Sequence, residues 1–422
     1  MKEIKKKIQF ILQEGFFHIF GAQALNKLVR FGASVIIVSL LSKEVYGRYS
    51  YAANILEFFL LLSGLGVVSG ILQFSSEKKD ISEKLSFLKY GTKIGFSFNL
   101  LIIISIILFT LFFSLPIKGS DRLLLMMAFL PIFAVIHEIS GSFLRSTFRN
   151  KEFSYVSISY TLVYFLGVFL GGYFFQVYGI IGSRYVSFIV SILIASYFLK
   201  NDIRRMNTIS SPQKRERHEF IRFSLIACLT NSASQILLLL DIFLIGLIIK
   251  DELVVATYKI ATLIPFALFF IPRAIMVFAY PYFASFINDK RKAKQYFYEM
   301  QKYLVFFNLF ISLGLIIFAP LLIRILFGSE YHDSILPFRI LCVGYFIAGS
   351  FAIPGGNVLA SMRKININFL NSVFCGVLNI ILDIFLILKF GAVGAAIATA
   401  TVFTISSLIS NGYLFMFFKR HS

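Results

Sequence analysis

Apolar runs of about twenty residues recur along the whole chain and are separated by short polar segments. A helix rises about 1.5 Å per residue, so a run of this length crosses the hydrocarbon core of a bilayer. We therefore predict an all-α polytopic membrane protein with twelve transmembrane helices. The predicted spans are 16–41, 46–74, 94–116, 121–144, 153–176, 178–199, 220–249, 252–286, 301–326, 334–361, 365–388 and 392–418.

Cations alternate between the two sides of these spans. One set of connections carries Lys2, Lys5, Lys6 and Lys7, then Lys78, Lys79, Lys84 and Lys89, then Arg145, Arg149 and Lys151, then Lys200, Arg204, Arg205, Lys214, Arg215 and Arg217, then Lys290, Arg291, Lys292 and Lys294, then Arg363 and Lys364, then Lys419 and Arg420. The other set holds chiefly Lys43, Lys118, Arg184, Lys250 and Lys389. Because cytoplasmic loops are enriched in Lys and Arg, both termini are predicted to be cytoplasmic.

The longest connection, 200–219, divides the chain into two halves. It is polar and contains Ser210, Ser211 and Pro212, which is typical of a linker. Residues 1–199 and 220–422 then form an N-terminal and a C-terminal six-helix lobe. EVYGRYSYA at 44–52 resembles LVVATYKIA at 253–261, and YGIIGSRYVS at 178–187 resembles FGAVGAAIAT at 390–399. Such a repeat predicts lobes related by a pseudo-two-fold axis along the membrane normal, with a substrate site between them.

Composition supports the membrane class and excludes others. The chain is 58% hydrophobic and 15% charged, and its mean hydropathy is +0.81. The net charge of +20 could suggest nucleic acid, but the cations lie in connections between spans, so no nucleic-acid partner is expected. Cys228, Cys342 and Cys375 all fall in apolar spans without metal-like spacing, so no metal site is expected. There is no Walker loop, HExxH or GxSxG motif, and no enzyme is predicted.

The first span carries a polar stripe. At 100° per residue Gln23, Lys27, Arg30 and Ser34 fall on one helix face. A cation at the bilayer centre costs about 3 kcal/mol on insertion scales, so the stripe is predicted to face an aqueous cavity and an anionic partner. The alternative is that the long side chains reach the interface from a shifted or tilted helix. Lys27 is only six residues into Gly21–Leu41, so this alternative stays open for it.

Other ionisable residues are predicted at membrane depth, namely Glu57, His137, Glu138, Asp241, Lys259, Arg273 and Asp383. On span seven Thr230, Ser234 and Asp241 share a face, and the repeat places Lys259 and Arg273 beside the inter-lobe cleft. Buried carboxylates in a chain without an ATPase domain indicate ion coupling, with Asp241, Glu57 and Asp383 as candidates and no other cofactor.

Structural alternatives remain for these groups. Asp241 could instead pair with Lys259 and pin two helices. His137 and Glu138 are predicted to form a surface pair near the cytoplasmic end of span four. Asp383 follows Asn379 by one turn, which is also compatible with a simple hydrogen bond across helices.

Four segments carry a resemblance to a known family. They are GAQALNKLVRFGASVIIVSLLSKEVYGRYSYA, LLLDIFLIGLIIKDELVVATYKIATLIPF, APLLIRILFGSEYHDSILPFRIL and FGAVGAAIAT. In order and spacing they resemble the Wzx-type polysaccharide-biosynthesis (O-antigen repeat-unit) flippases of the multidrug/oligosaccharidyl-lipid/polysaccharide (MOP) exporter superfamily. The chain is shorter than the fourteen-span peptidoglycan-precursor flippases, which it also resembles.

The resemblance implies a flippase that moves undecaprenyl-pyrophosphate-linked oligosaccharide for O-antigen, capsule or exopolysaccharide assembly. It implies alternating access through a cationic cavity formed by Lys27, Arg30, Lys259 and Arg273, with Gln23, Ser34, Thr230 and Ser234 as polar lining. Asp241 matches the seventh-span aspartate of the family, and proton or sodium coupling is expected. The implied partners are the lipid-linked glycan, membrane lipid, and the polymerase and chain-length-control proteins of the same pathway.

Two alternatives to a flippase stay open. A MATE-type multidrug/ion antiporter has a related architecture, but exporters of cations favour an acidic cavity, and the stripe around Arg30 is cationic. A membrane-bound glycosyltransferase or polymerase also handles polyprenyl-linked sugars, but the outward connections are too short to form a catalytic domain.

Overall fold

A computed structural model describes residues 16–206, 208–287 and 289–419, with side chains from residue 25 onward except at 233, 234, 237 and 281. Every regular element in these ranges is helical, which confirms the all-α prediction. The α-helices are α1 (Phe16–Leu40), α2 (Lys43–Leu60), α3 (Val67–Glu77), α4 (Ile81–Phe112), α5 (Ser120–Met126), α6 (Leu130–Ser146), α7 (Asn150–Phe198), α8 (Lys200–Met206), α9 (Lys214–Ile248), α10 (Glu252–Leu268), α11 (Phe270–Ser285), α12 (Lys290–Phe327), α13 (Ile335–Ile347), α14 (Ile353–Ser361) and α15 (Ile365–Lys419).

Long apolar helices dominate the described ranges. By length and composition seven helices could cross a membrane, or eight if the bent pair α5 and α6 forms one span. Large apolar side chains such as Phe112, Phe306 and Phe310 are more than three-quarters exposed, as lipid-facing residues are. The predicted number of twelve crossings stays a prediction. The terminal cations used for topology, Lys2 to Lys7 and Arg420, lie outside the described residues.

The two longest helices, α7 and α15, are hairpins. They contain 49 and 55 residues, and each has a left-handed break, at Gln176 (φ 50°) and at Gly391 (φ 54°). A Cβ on Gly179 would overlap the carbonyl oxygen of Gly171, although eight residues of continuous helix would separate the two by about 12 Å. The chain therefore reverses at Gln176. These hairpins correspond to predicted spans five with six and eleven with twelve.

Broken helices in the first part of the chain meet at Asn99. Residues Ser63–Gly66 form a 3₁₀ turn with left-handed backbone between α2 and α3, and α5 meets α6 at 45°. The buried Asn99 amide accepts from the Gly64 backbone N–H at 2.6 Å and donates to the Pro131 carbonyl at 2.6 Å. A single side chain on α4 thus bonds the backbone at both breaks and anchors them to that helix.

The chain divides into two compact units, one ending at Leu239 and one beginning at Leu240, so the division falls within α9. The first unit has a core around Phe87, Phe143 and Phe220. In the second unit, one core surrounds Phe297 and a smaller one surrounds Tyr345.

The predicted linker 200–219 is folded against the first unit. Lys89 Nζ donates to the Ile209 carbonyl at 2.7 Å, and Arg149 Nη1 lies 2.7 Å from Asp202 Oδ2. Met206 and Ile209 pack on the core of that unit. The segment is therefore a fixed part of the first unit.

Candidate functional site

A polar cavity of about 430 Å³ lies inside the first unit. Its charged and aromatic lining comes from α1, α2, α6 and α7 and consists of Arg30, Glu57, His137, Glu138, Arg145, Phe153, Tyr160, Arg184 and Phe188. A second cavity of about 260 Å³ is lined by Glu57, Glu138, Ser63, Ser69, Asn231 and Gln235, among others. Glu57 and Glu138 line both cavities, so their carboxylates lie where the two spaces meet. We call the larger space, with its lining, the mixed-charge cavity.

Arg30 is held in place on the wall of this cavity by α7. Asn26 Nδ2 donates to Ser157 Oγ at 2.6 Å, which fixes α1 against α7 one turn before Arg30. The Arg30 guanidinium carbon lies 5.3 Å from the ring centroid of Tyr160, a cation–π distance. The Ser34 hydroxyl donates to the Arg30 carbonyl at 3.0 Å, so it serves its own helix. The ring holds the guanidinium of Arg30 in place through its face. It does not accept the N–H groups as an oxygen would, so they stay available to a ligand.

Arg184 lies at a different place from the one predicted from the sequence. It was expected in an outward connection, but it lies within α7 and lines the mixed-charge cavity. Its Nη2 is 3.8 Å from Glu57 Oε1, and its side chain is only 15% exposed. A polar stripe was the missed signal, because Ser187 and Ser191 follow Arg184 at helical spacing on one face of this helix.

His137 and Glu138 do not form the predicted surface pair. Both line the mixed-charge cavity. His137 Nδ1 lies 2.5 Å from the buried Ser191 hydroxyl, and its ring centroid is 5.1 Å from that of Tyr160. The prediction was wrong for His137, because its ring packs against Tyr160 and Phe188 from α7, whereas Glu138 is exposed.

The second unit contains a buried carboxyl pair, Asp241 and Asp383, which are 2% and 0% exposed. Asp241 Oδ2 accepts hydrogen bonds from the Tyr258 hydroxyl and from Thr399 Oγ1, the latter at 2.6 Å. Asp383 and Asn379 lie beside Asp241. The remaining carboxyl oxygens, Asp241 Oδ1 and both of Asp383, find no donor among the described residues. Tyr258, the neighbour of the predicted partner Lys259, is thus a hydrogen-bonding partner of Asp241.

The other predicted site residues are dispersed. Lys27 and Thr230 are exposed in the first unit, and the Thr230 hydroxyl donates to its own helix at Ile226. Arg273 is exposed in the second unit, with its guanidinium 5.9 Å from the Phe269 ring centroid. Lys259 is partly buried in the same unit.

The side chains of Gln23 and Ser234 lie outside the described residues. Of the predicted set, the structure therefore brings together Arg30 with Glu57 in one unit and Asp241 with Asp383 in the other.

Comparison with known proteins identifies relatives in glycan assembly. The family model for "Polysaccharide biosynthesis protein" matches residues 36–336. The capsular polysaccharide biosynthesis protein CapF of Staphylococcus aureus is 23% identical over 96% of this chain and 99% of its own. The "Probable low-salt glycan biosynthesis flippase Agl15" of Haloferax volcanii is 35% identical over 104 residues, which cover 25% of this chain and 22% of that protein.

Solved structures with the same fold are membrane transporters. The lipid II flippase MurJ superposes with a TM-score of 0.74 at 18% identity, over 94% of this chain and 87% of that one. A multidrug resistance MATE family transporter of the MOP superfamily also gives 0.74, at 14% identity over 94% and 95%. These likenesses show the fold. Together with the family match, they establish that this multi-pass membrane chain belongs to the polysaccharide biosynthesis protein family and has the fold of MOP-superfamily transporters.

Proposed function

We propose that this protein is a flippase that moves undecaprenyl-pyrophosphate-linked oligosaccharide repeat units across the cytoplasmic membrane for assembly of a surface polysaccharide. Family membership and the names of the relatives support a non-enzymatic role in handling lipid-linked glycan. Translocation proceeds by alternating access, with both termini cytoplasmic. The product then passes to a polymerase and to chain-length-control proteins.

The observation that carries the proposal is the position of Arg30 in the mixed-charge cavity. Its guanidinium lies over Tyr160, on the wall of a space large enough for a polar group of the substrate. A guanidinium stays charged at any working pH and offers a planar fork of donors that suits a pyrophosphate. Glu57, Glu138 and His137 on the same walls can bond sugar hydroxyls. The cavity thus offers partners to both parts of a glycan pyrophosphate.

Ion coupling is assigned to the carboxyl pair of the second unit. Two carboxylates, the hydroxyls of Tyr258 and Thr399, and the Asn379 amide give a set of oxygen ligands. Oxygen-rich sets of this kind suit hard cations such as sodium, and a close pair of carboxyls can also share a proton. We propose that one of these ions, bound at Asp241 and Asp383, biases the equilibrium between the two access states.

The direct test is transport by the purified protein. Proteoliposomes containing it should expose a fluorescent undecaprenyl-pyrophosphate-linked oligosaccharide to a membrane-impermeant quencher or lectin, whereas protein-free liposomes should not. The same gene should restore surface polysaccharide in a strain that lacks it. Failure of wild-type protein in both assays, with folding confirmed by gel filtration, would reject the flippase.

A MATE-type ion antiporter remains a second candidate because Glu57 and Glu138 place two carboxylates in the mixed-charge cavity. Acidic side chains suit cationic drugs. The two candidates separate in one experiment, since an antiporter should drive ethidium efflux from the same proteoliposomes under an ion gradient, and a flippase should leave ethidium inside.

A further inference from the structure

The guanidinium of Arg184 has more donors than partners. It offers five N–H groups. The carboxylate nearest to it among the described residues is Glu57, with Oε1 at 3.8 Å, beyond hydrogen-bond range, and the weakly accepting Met127 Sδ lies 3.7 Å away. The phenol groups of Tyr49, Tyr160 and Tyr164 also lie near it, but a neutral phenol does not balance its charge. Holding a cation in a membrane interior with so few good acceptors is costly, unless another anion binds there during function.

Glu57 is a loosely held counter-ion. Its side chain is 47% exposed, whereas that of Arg184 is 15% exposed. The carboxylate also borders both polar cavities, so it has space to move away from Arg184. A long contact between a half-exposed carboxylate and a nearly buried guanidinium is the geometry expected of a replaceable partner.

We propose that Arg184 binds a phosphate group of the lipid-linked substrate, and that Glu57 takes the place of that phosphate while the cavity is empty. The inference rests on the proposed flippase function. Phosphate oxygens accept two parallel bonds from a guanidinium at about 2.7–2.9 Å, which a carboxylate at 3.8 Å does not achieve here. Arg30 on α1 and Arg184 on α7 both line the cavity, so each phosphate of a pyrophosphate has its own guanidinium.

The substrate therefore competes with Glu57 for one cation. Glu57, once displaced, still lines the two polar cavities together with Glu138 and remains in contact with solvent. Neutralising Glu57 should accordingly strengthen substrate binding, but only while Arg184 is present. A purely structural ion pair predicts the opposite, since breaking it would weaken the fold and leave binding unchanged or reduced.

The test uses the purified full-length protein in detergent, titrated calorimetrically with farnesyl pyrophosphate, with farnesol as the uncharged control. Arg184→Ala should weaken binding on the order of tenfold to a thousandfold, and Arg184→Lys should weaken it less because charge is kept and the fork is lost. Glu57→Gln should tighten binding by about two- to fivefold. In the double variant Glu57→Gln/Arg184→Ala the tightening should disappear.

Matched controls separate this exchange from a general charge effect. Glu138→Gln removes a carboxylate from the same cavity, so any gain it gives should persist in the Arg184→Ala background. Arg122→Ala removes an exposed guanidinium that lies over Tyr178, outside the cavity lining, and should leave affinity unchanged. Gel filtration and thermal unfolding establish folding for each variant, and Arg184→Lys serves if Arg184→Ala does not fold.

The inference is overturned if Arg184→Ala binds the probe with wild-type affinity, or if Arg184→Lys does so when only that variant folds. It is also overturned if Glu57→Gln tightens binding equally with and without Arg184. Loss of binding in Arg30→Ala combined with normal binding in Arg184→Ala would keep the flippase and remove this inference alone. Displacement of the probe by phosphatidylglycerol at equal strength would identify a lipid headgroup as the occupant and reject the substrate assignment. A wild-type protein that neither binds the probe nor flips lipid-linked glycan would overturn both.

Discussion

The two units hold their carboxylates in opposite settings. In the first unit Glu57 is 47% exposed and faces guanidinium groups across a polar cavity. In the second unit Asp241 and Asp383 are at most 2% exposed and meet hydroxyls and each other. Water stabilises the charge of an exposed carboxylate. Two adjacent buried carboxyls lack that water, so one of them must hold a proton or the pair must bind a cation.

The difference lies between units whose sequences contain short similar segments, EVYGRYSYA in the first and LVVATYKIA in the second. Corresponding helices begin in the same way, since the N-cap side chains Ser42 and Asp251 accept from backbone N–H groups at the start of α2 and α10. The first unit thus carries an open polar cavity, and the second carries a closely packed, buried carboxyl pair. Mutations should therefore separate ligand binding from ion dependence.

The largest expected effect is at Arg30. Arg30→Ala should abolish export, because losing a charge-assisted contact at a desolvated site typically costs about 2–5 kcal/mol. Arg30→Lys should retain partial activity, since it keeps the charge and loses the bidentate geometry. The measurement is surface polysaccharide in a deletion strain, normalised to folded protein in the membrane.

Lys27→Ala is the matched control for Arg30, one helical turn away on α1; both residues are exposed, and the lining of the mixed-charge cavity includes Arg30 but not Lys27. It should export more than Arg30→Ala because its long side chain can reach the interface. Full recovery by Arg30→Ala would show that the first-unit cavity does not hold the substrate through this residue.

The next effect concerns the carboxyl pair. Asp241→Asn should reduce transport and abolish its dependence on pH or sodium, because an amide neither takes up the proton nor supplies the negative charge that would bind the cation, while it can still accept from Tyr258 and Thr399. Probe binding by the first unit should remain. Transport rates in proteoliposomes across sodium and pH series measure this. Unchanged ion dependence in a folded Asp241→Asn protein would remove the pair from coupling.

A smaller effect is expected at Tyr160, which lines the mixed-charge cavity and lies under the Arg30 guanidinium. Tyr160→Leu should weaken farnesyl pyrophosphate binding by the equivalent of about 0.5–2 kcal/mol, the range of a cation–π contact, and Tyr160→Phe should weaken it little because the ring remains. Calorimetric titration of both variants compares them directly. Equal losses in Leu and Phe would point to the hydroxyl and away from the ring.

The sequence predicted much of the fold because membrane helices obey local rules. Apolar length identified long helices, and the glycine-containing repeat placed YGIIGSRYVS and FGAVGAAIAT next to the breaks at Gln176 and Gly391. Helix phase likewise placed Arg30 on a polar face, and Arg30 lines a cavity. These features depend on residues close together along the chain.

Arrangements that depend on distant residues were not predictable in the same way. Ser187 and Ser191 mark the polar helix face of Arg184, but its partner Glu57 is on another helix, so the sequence did not show that this face lines a cavity. The packing of the His137 ring against Tyr160 depends on a residue of another helix, which no pattern within α6 indicates. The segment 200–219 has the composition of a flexible linker. Lys89 nevertheless bonds the Ile209 carbonyl and Arg149 bonds the Asp202 carboxylate, and both cations lie outside the segment.

The smallest expected effect tests whether the start of α9 belongs to the first unit. Lys78 Nζ lies 2.7 Å from Glu216 Oε1, with both side chains less than one-third exposed and outside the predicted spans. Hydrogen bonding to Lys78 lowers the pKa of Glu216 below its ordinary value of 4.5, and the same bond raises the pKa of Lys78 above 10.5. A partly exposed pair contributes only about 0–1 kcal/mol.

The pH dependence of this contribution has a definite sign. Because the pKa of Glu216 is lowered in the folded protein, its contribution is present above about pH 4.5 and is lost as the pH falls through the lowered value. The raised pKa of Lys78 keeps the pair intact up to at least pH 10.5. Glu216→Gln should therefore lower thermal stability slightly at pH 7, and the difference in stability from wild type should close under acid.

Arg215 and Glu219, an exposed pair on the same helix, provide the control, since Glu219→Gln should change stability less. A gap that persists below the folded pKa of Glu216 would mean that the carboxylate charge does not fasten α9 to the first unit.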